Sequence, residues 1–129
     1  MSIRLLLASA SPRRAEILGA LGIPFDLSPA DVDETVLPGE PGRAAAARLA
    51  SAKAEAAVSR HPGAWVLAAD TLVLIDGTVL GKPRDDPDSA AMLRRLSGRE
   101  HVVVTAVSLR RDEAETATVE ESRVRIAPL

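Results

Sequence analysis

Val66-Leu67-Ala68-Ala69-Asp70-Thr71-Leu72-Val73-Leu74-Ile75 is a long apolar run broken by one carboxylate. With Trp65 in front, it reads as a buried strand of a sheet, because a run this apolar has no polar face to give to water. A carboxylate inside such a strand is costly unless it is paired or holds a metal. Asp70 therefore either serves a site or lies at a strand end or edge and faces water. Asp76-Gly77 behind the run is a hairpin signal, and Thr78–Leu80 would return along it.

Helices and strands alternate on either side. Residues 3–8 form a short apolar run suited to a buried strand. Ser11 then suits a helix cap and Pro12 the first helical position. Ala15, Ile17, Leu18 and Leu21 give that helix an apolar stripe, and Gly22 stops it. Residues 25–27 are a second short strand, and 28–42, acidic and rich in Pro and Gly, a loop. Residues 43–60 are an Ala-rich helix whose polar face is Arg48, Ser51, Glu55 and Ser59. Pro87 opens a further helix that Gly98 ends. Residues 101–109 and 116–126 are two strands around Asp112-Glu113. The order predicts an α/β fold with a mixed sheet, antiparallel towards the C-terminus, and residues 1–129 as a single domain.

Composition narrows the chemistry. Hydrophobic residues are 47% and charged residues 26% of the chain, a globular balance. The net charge of −2 gives no cationic field for a nucleic-acid backbone, and 2% aromatics cannot build a base-stacking platform. Without cysteine there is no disulfide, thiolate metal site or Cys nucleophile. No apolar run is long enough to span a bilayer, and the apolar start of the chain is too short for a signal peptide, so a cytoplasmic protein is expected.

Four further features stand out. Lys53 lies on the apolar face of its helix with Ala46, Leu49, Ala50 and Ala57. It either snorkels out or turns its ammonium into a site that needs positive charge. Ser9, Ser11, Arg13 and Arg14 lie where a strand passes into a helix N-terminus, a place that favours anions. Two arginines there oppose the helix dipole, and they either meet a phosphate or stay solvated. Asp31, Asp33 and Glu34 form an acidic loop that either holds Mg²⁺ or Mn²⁺ or is merely solvated. Lys82 follows Gly81, but Pro83 and the spacing exclude a Walker A loop. It could still reach a phosphate as a point charge. His61 and His101 lack ligand spacing. Together these residues suit metal-assisted phosphoryl or nucleotidyl chemistry and offer no covalent catalyst.

The same residues carry a family likeness. Leu7-Ala8-Ser9-Ala10-Ser11-Pro12-Arg13-Arg14 and Pro29-Ala30-Asp31-Val32-Asp33-Glu34-Thr35 resemble the opening of Maf proteins. Arg48-Leu49-Ala50 with Lys53-Ala54, Ala69-Asp70-Thr71, Leu80-Gly81-Lys82-Pro83, residues 93–99 and Thr105-Ala106-Val107 continue the resemblance in order along nearly the whole chain. It implies a mixed twisted sheet flanked by helices, related to inosine triphosphatases, and a cytoplasmic hydrolase in a family linked to arrested septum formation. The implied reaction cuts a nucleoside triphosphate to the monophosphate and pyrophosphate with a divalent metal, Mg²⁺ or Mn²⁺. By resemblance Asp70 is the general base, and Glu34 and Asp70 hold the metal. Ser9, Arg13, Arg14, Lys53 and Lys82 hold the triphosphate. Thr71 after the aspartate resembles the subgroup acting on dTTP and UTP. Maf proteins run well past residue 129, so the resemblance also implies that the C-terminal part of the two-lobed fold is missing here. A shortened, catalytically impaired protein that binds nucleotide or regulates division is then the alternative. Its uncovered apolar surface would favour a homodimer, and neither nucleic acid nor membrane is an expected partner.

Overall fold

The computed structural model describes residues 5–9, 12–29, 32–75, 78–80, 87, 90–91, 94, 98 and 100–125. Its elements run β1 (Leu5–Leu7), α1 (Pro12–Ala20), β2 (Asp26–Leu27), α2 (Gly42–Arg60), β3 (Trp65–Ile75), β4 (Thr78–Leu80), β5 (Glu100–Arg111) and β6 (Ala114–Arg125). The six strands form one sheet in the order β2-β1-β3-β5-β6, with β4 also paired to β3. β1 pairs in parallel with β2 and β3, whereas the pairs of β3 with β4, β3 with β5 and β5 with β6 are antiparallel. The expected α/β class and antiparallel C-terminal part are both present. Pro87, Ala90, Ala91 and Arg94 are helical, in the segment where a further helix is expected. The signals at Ser11 and Asp76-Gly77 lie outside the described residues.

α2 lies across one face of the sheet. Its alanines make this possible: Ala45, Ala46, Ala50, Ala54 and Ala57 are buried, and their short side chains let the helix approach the strands closely. Ala54, Ala57 and Val58 pack with Leu6, Ala8, Val66 and Ala68. Ala46 and Ala50 pack with Val104 and Ala106, with Leu72, Leu74, Val102 and Val119 against them. Gly42 opens the helix where a Cβ would lie 2.5 Å from Leu74 Cδ1, so a side chain there would force Leu74 aside. Fully buried Leu6, Leu7, Leu49, Val66, Ile75 and Val104 anchor the core. Each contributes roughly 1.5–3 kcal/mol through removal of apolar surface from water.

The opposite face is covered differently. Of the expected α1 stripe, Leu18 is buried, whereas Ile17 and Leu21 are 54% and 67% exposed. α1 reaches only one corner of the sheet. Leu18 and Ile17 border an apolar cavity of about 180 Å³ with Leu7, Leu67, Ala69 and Val107, and Leu21 projects beyond it. At the far end, β5 turns into β6 through Asp112, whose φ of 50° lies in the left-handed region. Aspartate tolerates that region better than most residues. Its carboxylate also accepts a hydrogen bond from Gly63 N at 2.9 Å, tying the hairpin to the loop before β3.

Candidate active site

Asp70 sits in the middle of β3, opposite Ala106 of β5, and is 7% exposed. It is not at a strand end, and its side chain is turned away from water. The pleat sends its side chain to the α2 face, where Lys53 Nζ donates to Asp70 Oδ1 at 2.9 Å. The same ammonium is 2.8 Å from Glu34 Oε1. Lys53 does not snorkel: its side chain is 13% exposed and bridges two carboxylates. Burial alone would lower its pKa, but hydrogen bonds to Glu34 and Asp70 and their negative charge outweigh that, and the ammonium is held above its ordinary value. Asp70 Oδ2 is buried and has no hydrogen-bond partner among the described residues. A carboxylate oxygen left in that state is costly.

A second constellation lies on the other face. Thr71, next in the chain, points away from α2 and accepts a hydrogen bond from Arg14 Nη2 at 3.0 Å. Arg14 Nη1 donates to Ser9 Oγ at 3.1 Å. Thr71 Oγ1 and Thr105 Oγ1, directly opposite on β5, share a hydrogen bond of 3.1 Å. One guanidinium is thus oriented by two hydroxyls, Ser9 just after β1 and Thr71 of β3, and Thr105 of β5 holds the second of them. Arg13 is exposed. Lys82, Ser11 and Asp31 lie outside the described residues.

The two constellations meet through a fork in the sheet. β5 runs along one edge of β3 from Val66 to Leu74. On the other edge β1 pairs only with Trp65–Leu67 and β4 only with Val73–Ile75. Between Leu67 and Val73 no described strand covers that edge. Asp70 and Thr71 stand in this gap, one facing each side. Ala8 N still bonds to Leu67 O at 2.9 Å, and then the chain leaves through Ser9 towards α1.

Glu34 reaches the site from the loop between β2 and α2, and that loop is fastened. Arg48 donates to both oxygens of Glu40, from Nε at 2.8 Å and Nη2 at 2.9 Å, and its Nη2 also donates to Thr35 O at 2.9 Å. Glu40 accepts from Leu37 N as well. The Arg48 hydrogen bond, with that backbone bond, holds the Glu40 carboxyl below its ordinary value. Asp33 Oδ1 accepts from Thr35 Oγ1 and Thr35 N, which likewise lowers its pKa. The acidic loop therefore divides its work. Asp33 shapes the turn, and Glu34 projects to Lys53.

A family model described as Maf-like protein matches residues 4–129. The chain belongs to the Maf-like family. It is 56% identical over 115 residues to a dTTP/UTP pyrophosphatase of Myxococcus xanthus (strain DK1622), covering 89% of this chain and 59% of that protein. It is 49% identical over 126 residues to a dTTP/UTP pyrophosphatase of Symbiobacterium thermophilum, covering 98% of this chain and 65% of the other. The Maf-like chain thus spans less than two thirds of the length of these relatives. Among solved structures, a HAM1 protein from Coxiella burnetii superposes with a TM-score of 0.70 at 20% identity, covering 98% of this chain and 74% of that one. The Staphylococcus aureus Ham1 protein gives 0.68 at 18%, covering 96% and 72%. At these identities the match shows a shared fold. No described helix of the Maf-like chain is long and apolar enough to cross a membrane.

Among the residues the motifs single out, Asp70, Glu34 and Lys53 come together on one face and Ser9, Arg14 and Thr71 on the other. Thr105, part of a family-like motif but given no role by it, joins the second group. Its contact with Thr71 follows from the β3–β5 register, which sets the two opposite each other. Arg48 lies on the polar helix face and in a family-like motif that gives it no role, and its part in holding the Glu34 loop follows from a partner eight positions away.

Proposed function

We propose that this Maf-like protein hydrolyses dTTP and UTP, and modified nucleotides of similar shape, to the monophosphate and pyrophosphate. The observation that carries the reading is the Asp70 carboxylate: buried, tethered through one oxygen to Lys53, its other oxygen without a partner among the described residues, beside a stretch of β3 that no described strand covers. The named relatives supply the substrate class.

In this reading Asp70 Oδ2 accepts the proton of the water that attacks the α-phosphorus. The P–O bond to the β-phosphate breaks, and pyrophosphate leaves with the bond's electron pair. Arg14, set by Ser9 and Thr71, grips phosphate oxygens through its remaining N–H groups. Arg13 and Lys82 add positive charge to the leaving group. Lys53 moves from the carboxylates to the entering phosphates, and Thr71 contacts the nucleoside. The donor set also fits a hard divalent cation, Mg²⁺ or Mn²⁺. Glu34 and Asp70 offer the carboxylate oxygens Oε1 and Oδ1 once Lys53 has moved, and phosphate and water oxygens would complete the shell. Such a cation supplies charge stabilisation on the phosphate oxygens. A cytoplasmic location, beside the nucleotide pool, suits the cysteine-free composition.

The test is product analysis with purified protein, Mg²⁺ or Mn²⁺, and a panel of dTTP, UTP, CTP, ATP, GTP and modified nucleotides. Pyrophosphate with dTMP or UMP supports the reading. Orthophosphate as sole product makes the protein a phosphatase. Tight nucleotide binding with no product makes it a binding module.

A further inference from the structure

Lys53 holds a position that two different cations would want. Its ammonium lies 2.8 Å from Glu34 Oε1 and 2.9 Å from Asp70 Oδ1, between the carboxylates assigned above to the metal. The arrangement is sheltered, with the Lys53 side chain 13% and that of Asp70 9% exposed. A divalent cation such as Mg²⁺ bonds carboxylate oxygens at roughly 2.0–2.1 Å. An ammonium already lodged between Glu34 Oε1 and Asp70 Oδ1 competes with it for those two oxygens, and the two positive charges repel at close range.

We propose that Lys53 is the built-in counter-ion of the Glu34–Asp70 pair and keeps divalent metal out until a nucleotide draws the ammonium away. This rests on the reading of Glu34 and Asp70 as metal ligands and adds an order of events to it. The exchange is chemically natural. Lysine is a point charge on a flexible stem, so Nζ can swing from carboxylate to phosphate while its helix stays in place. A triphosphate brings enough negative charge to compensate the ammonium, and the carboxylates it leaves then need a new cation. The lodged lysine also gives the buried Asp70 carboxylate a positive partner in the empty protein. Asp70 Oδ2, which has no hydrogen-bond partner among the described residues, is the oxygen this exchange never has to free. Metal and nucleotide then bind with positive coupling, and the nucleotide tightens the metal by the same factor as the metal tightens the nucleotide.

The experiment is a Mn²⁺ titration followed by electron paramagnetic resonance of the free ion, with and without α,β-methylene-UTP, which cannot be cut at the α-phosphorus. It uses the wild-type chain, Lys53→Met, Lys53→Arg and Arg14→Met, with circular dichroism and thermal melting to confirm that each is folded. For the wild type, Mn²⁺ alone binds weakly and the analogue tightens it on the order of ten-fold or more. In Lys53→Met, Mn²⁺ alone binds about as tightly as it does to wild type with the analogue, and the coupling disappears. Lys53→Arg keeps the charge and restores weak binding of Mn²⁺ alone. Arg14→Met, which loses a charge on the other face of β3, stays within about three-fold of wild type without analogue, separating the lodged ammonium from general electrostatics. Equal Mn²⁺ affinity of wild type and Lys53→Met without analogue, or equal gains in Lys53→Met and Arg14→Met, overturns the proposal and leaves the metal reading standing. Absence of Mn²⁺ binding to any folded variant, with or without analogue, overturns both. Should Lys53→Met not fold, a wild-type affinity for Mn²⁺ that the analogue leaves unchanged overturns the proposal by itself.

Discussion

Asp70 and Thr71 are neighbours in the chain and serve opposite faces of the sheet: Asp70 bonds to Lys53 of α2, and Thr71 to Arg14 of α1. The pleat of β3 enforces this, since successive side chains point to alternate sides. Two adjacent residues can therefore carry separate duties, and substituting each should give a different kinetic signature.

Asp70→Asn keeps the shape of the side chain and removes the proton acceptor. Pyrophosphate release should fall by about 10²–10⁴-fold, the usual contribution of a general base. The drop should appear in kcat, measured by stopped-time pyrophosphate assay, with circular dichroism unchanged. Full retention of rate in the variant would show that another group activates the water.

Thr105→Val removes a hydroxyl and little volume. Thr71 then loses its cross-strand partner, and the orientation of Arg14 loosens. A lost hydrogen bond of roughly 0.5–1.5 kcal/mol corresponds to about a two- to ten-fold rise in KM for dTTP, with kcat changed less. Thr105→Ser should recover most of it. Steady-state kinetics on the three proteins tests the network.

Arg48→Met leaves Glu40 without its bidentate partner and frees the carbonyl of Thr35 beside Glu34. The loop presenting Glu34 should become mobile, and kcat/KM should fall by about ten-fold. Arg48→Lys should rescue only partly, because one ammonium cannot reproduce the fork. Hydrogen exchange over residues 32–40 gives an independent readout.

Ala54 is wholly buried in the helix–sheet contact. Ala54→Leu should destabilise the fold by roughly 1–3 kcal/mol through overpacking. The urea midpoint should fall while the slope stays the same.

Glu115 Oε2 accepts from Ser108 Oγ at 2.6 Å and Ser51 Oγ at 2.8 Å, joining β6, β5 and α2. The Ser108 bond, then the Ser51 bond, hold its carboxyl below the ordinary 4.5. A carboxyl lowered on folding contributes stability above its unfolded value and loses it as pH falls through the folded one. Thermal melts should show a wild-type loss below about pH 4.5 that is shallower in Glu115→Gln.

The sequence and the structure agree most closely where pattern alone decides. The bounds of β3, Trp65–Ile75, follow from an apolar run ending at a turn signal. The buried face of α2 follows from helical spacing. Lys53 marks where pattern stops: an isolated cation on an apolar helix face is compatible with snorkelling or pairing, and the Asp70 contact decides between them. The α1 stripe misleads for a different reason. Apolar spacing says which side of a helix could be covered, not how much sheet lies beneath it, so Ile17 and Leu21 remain exposed. Thr105 and the Arg48 anchor depend on register and loop path, which no local pattern encodes.

The fork in the sheet has a consequence for how the molecule can change. Between Leu67 and Val73 the free edge of β3 carries main-chain donors and acceptors that no described strand uses. A ligand lying in the fork would be met partly by peptide groups, and these are the same whatever side chains replace Ala69, Thr71 or Leu72. A substitution scan would miss that share of the recognition. Side chains could drift from one nucleotide preference to another while the backbone kept its grip on what all such ligands have in common.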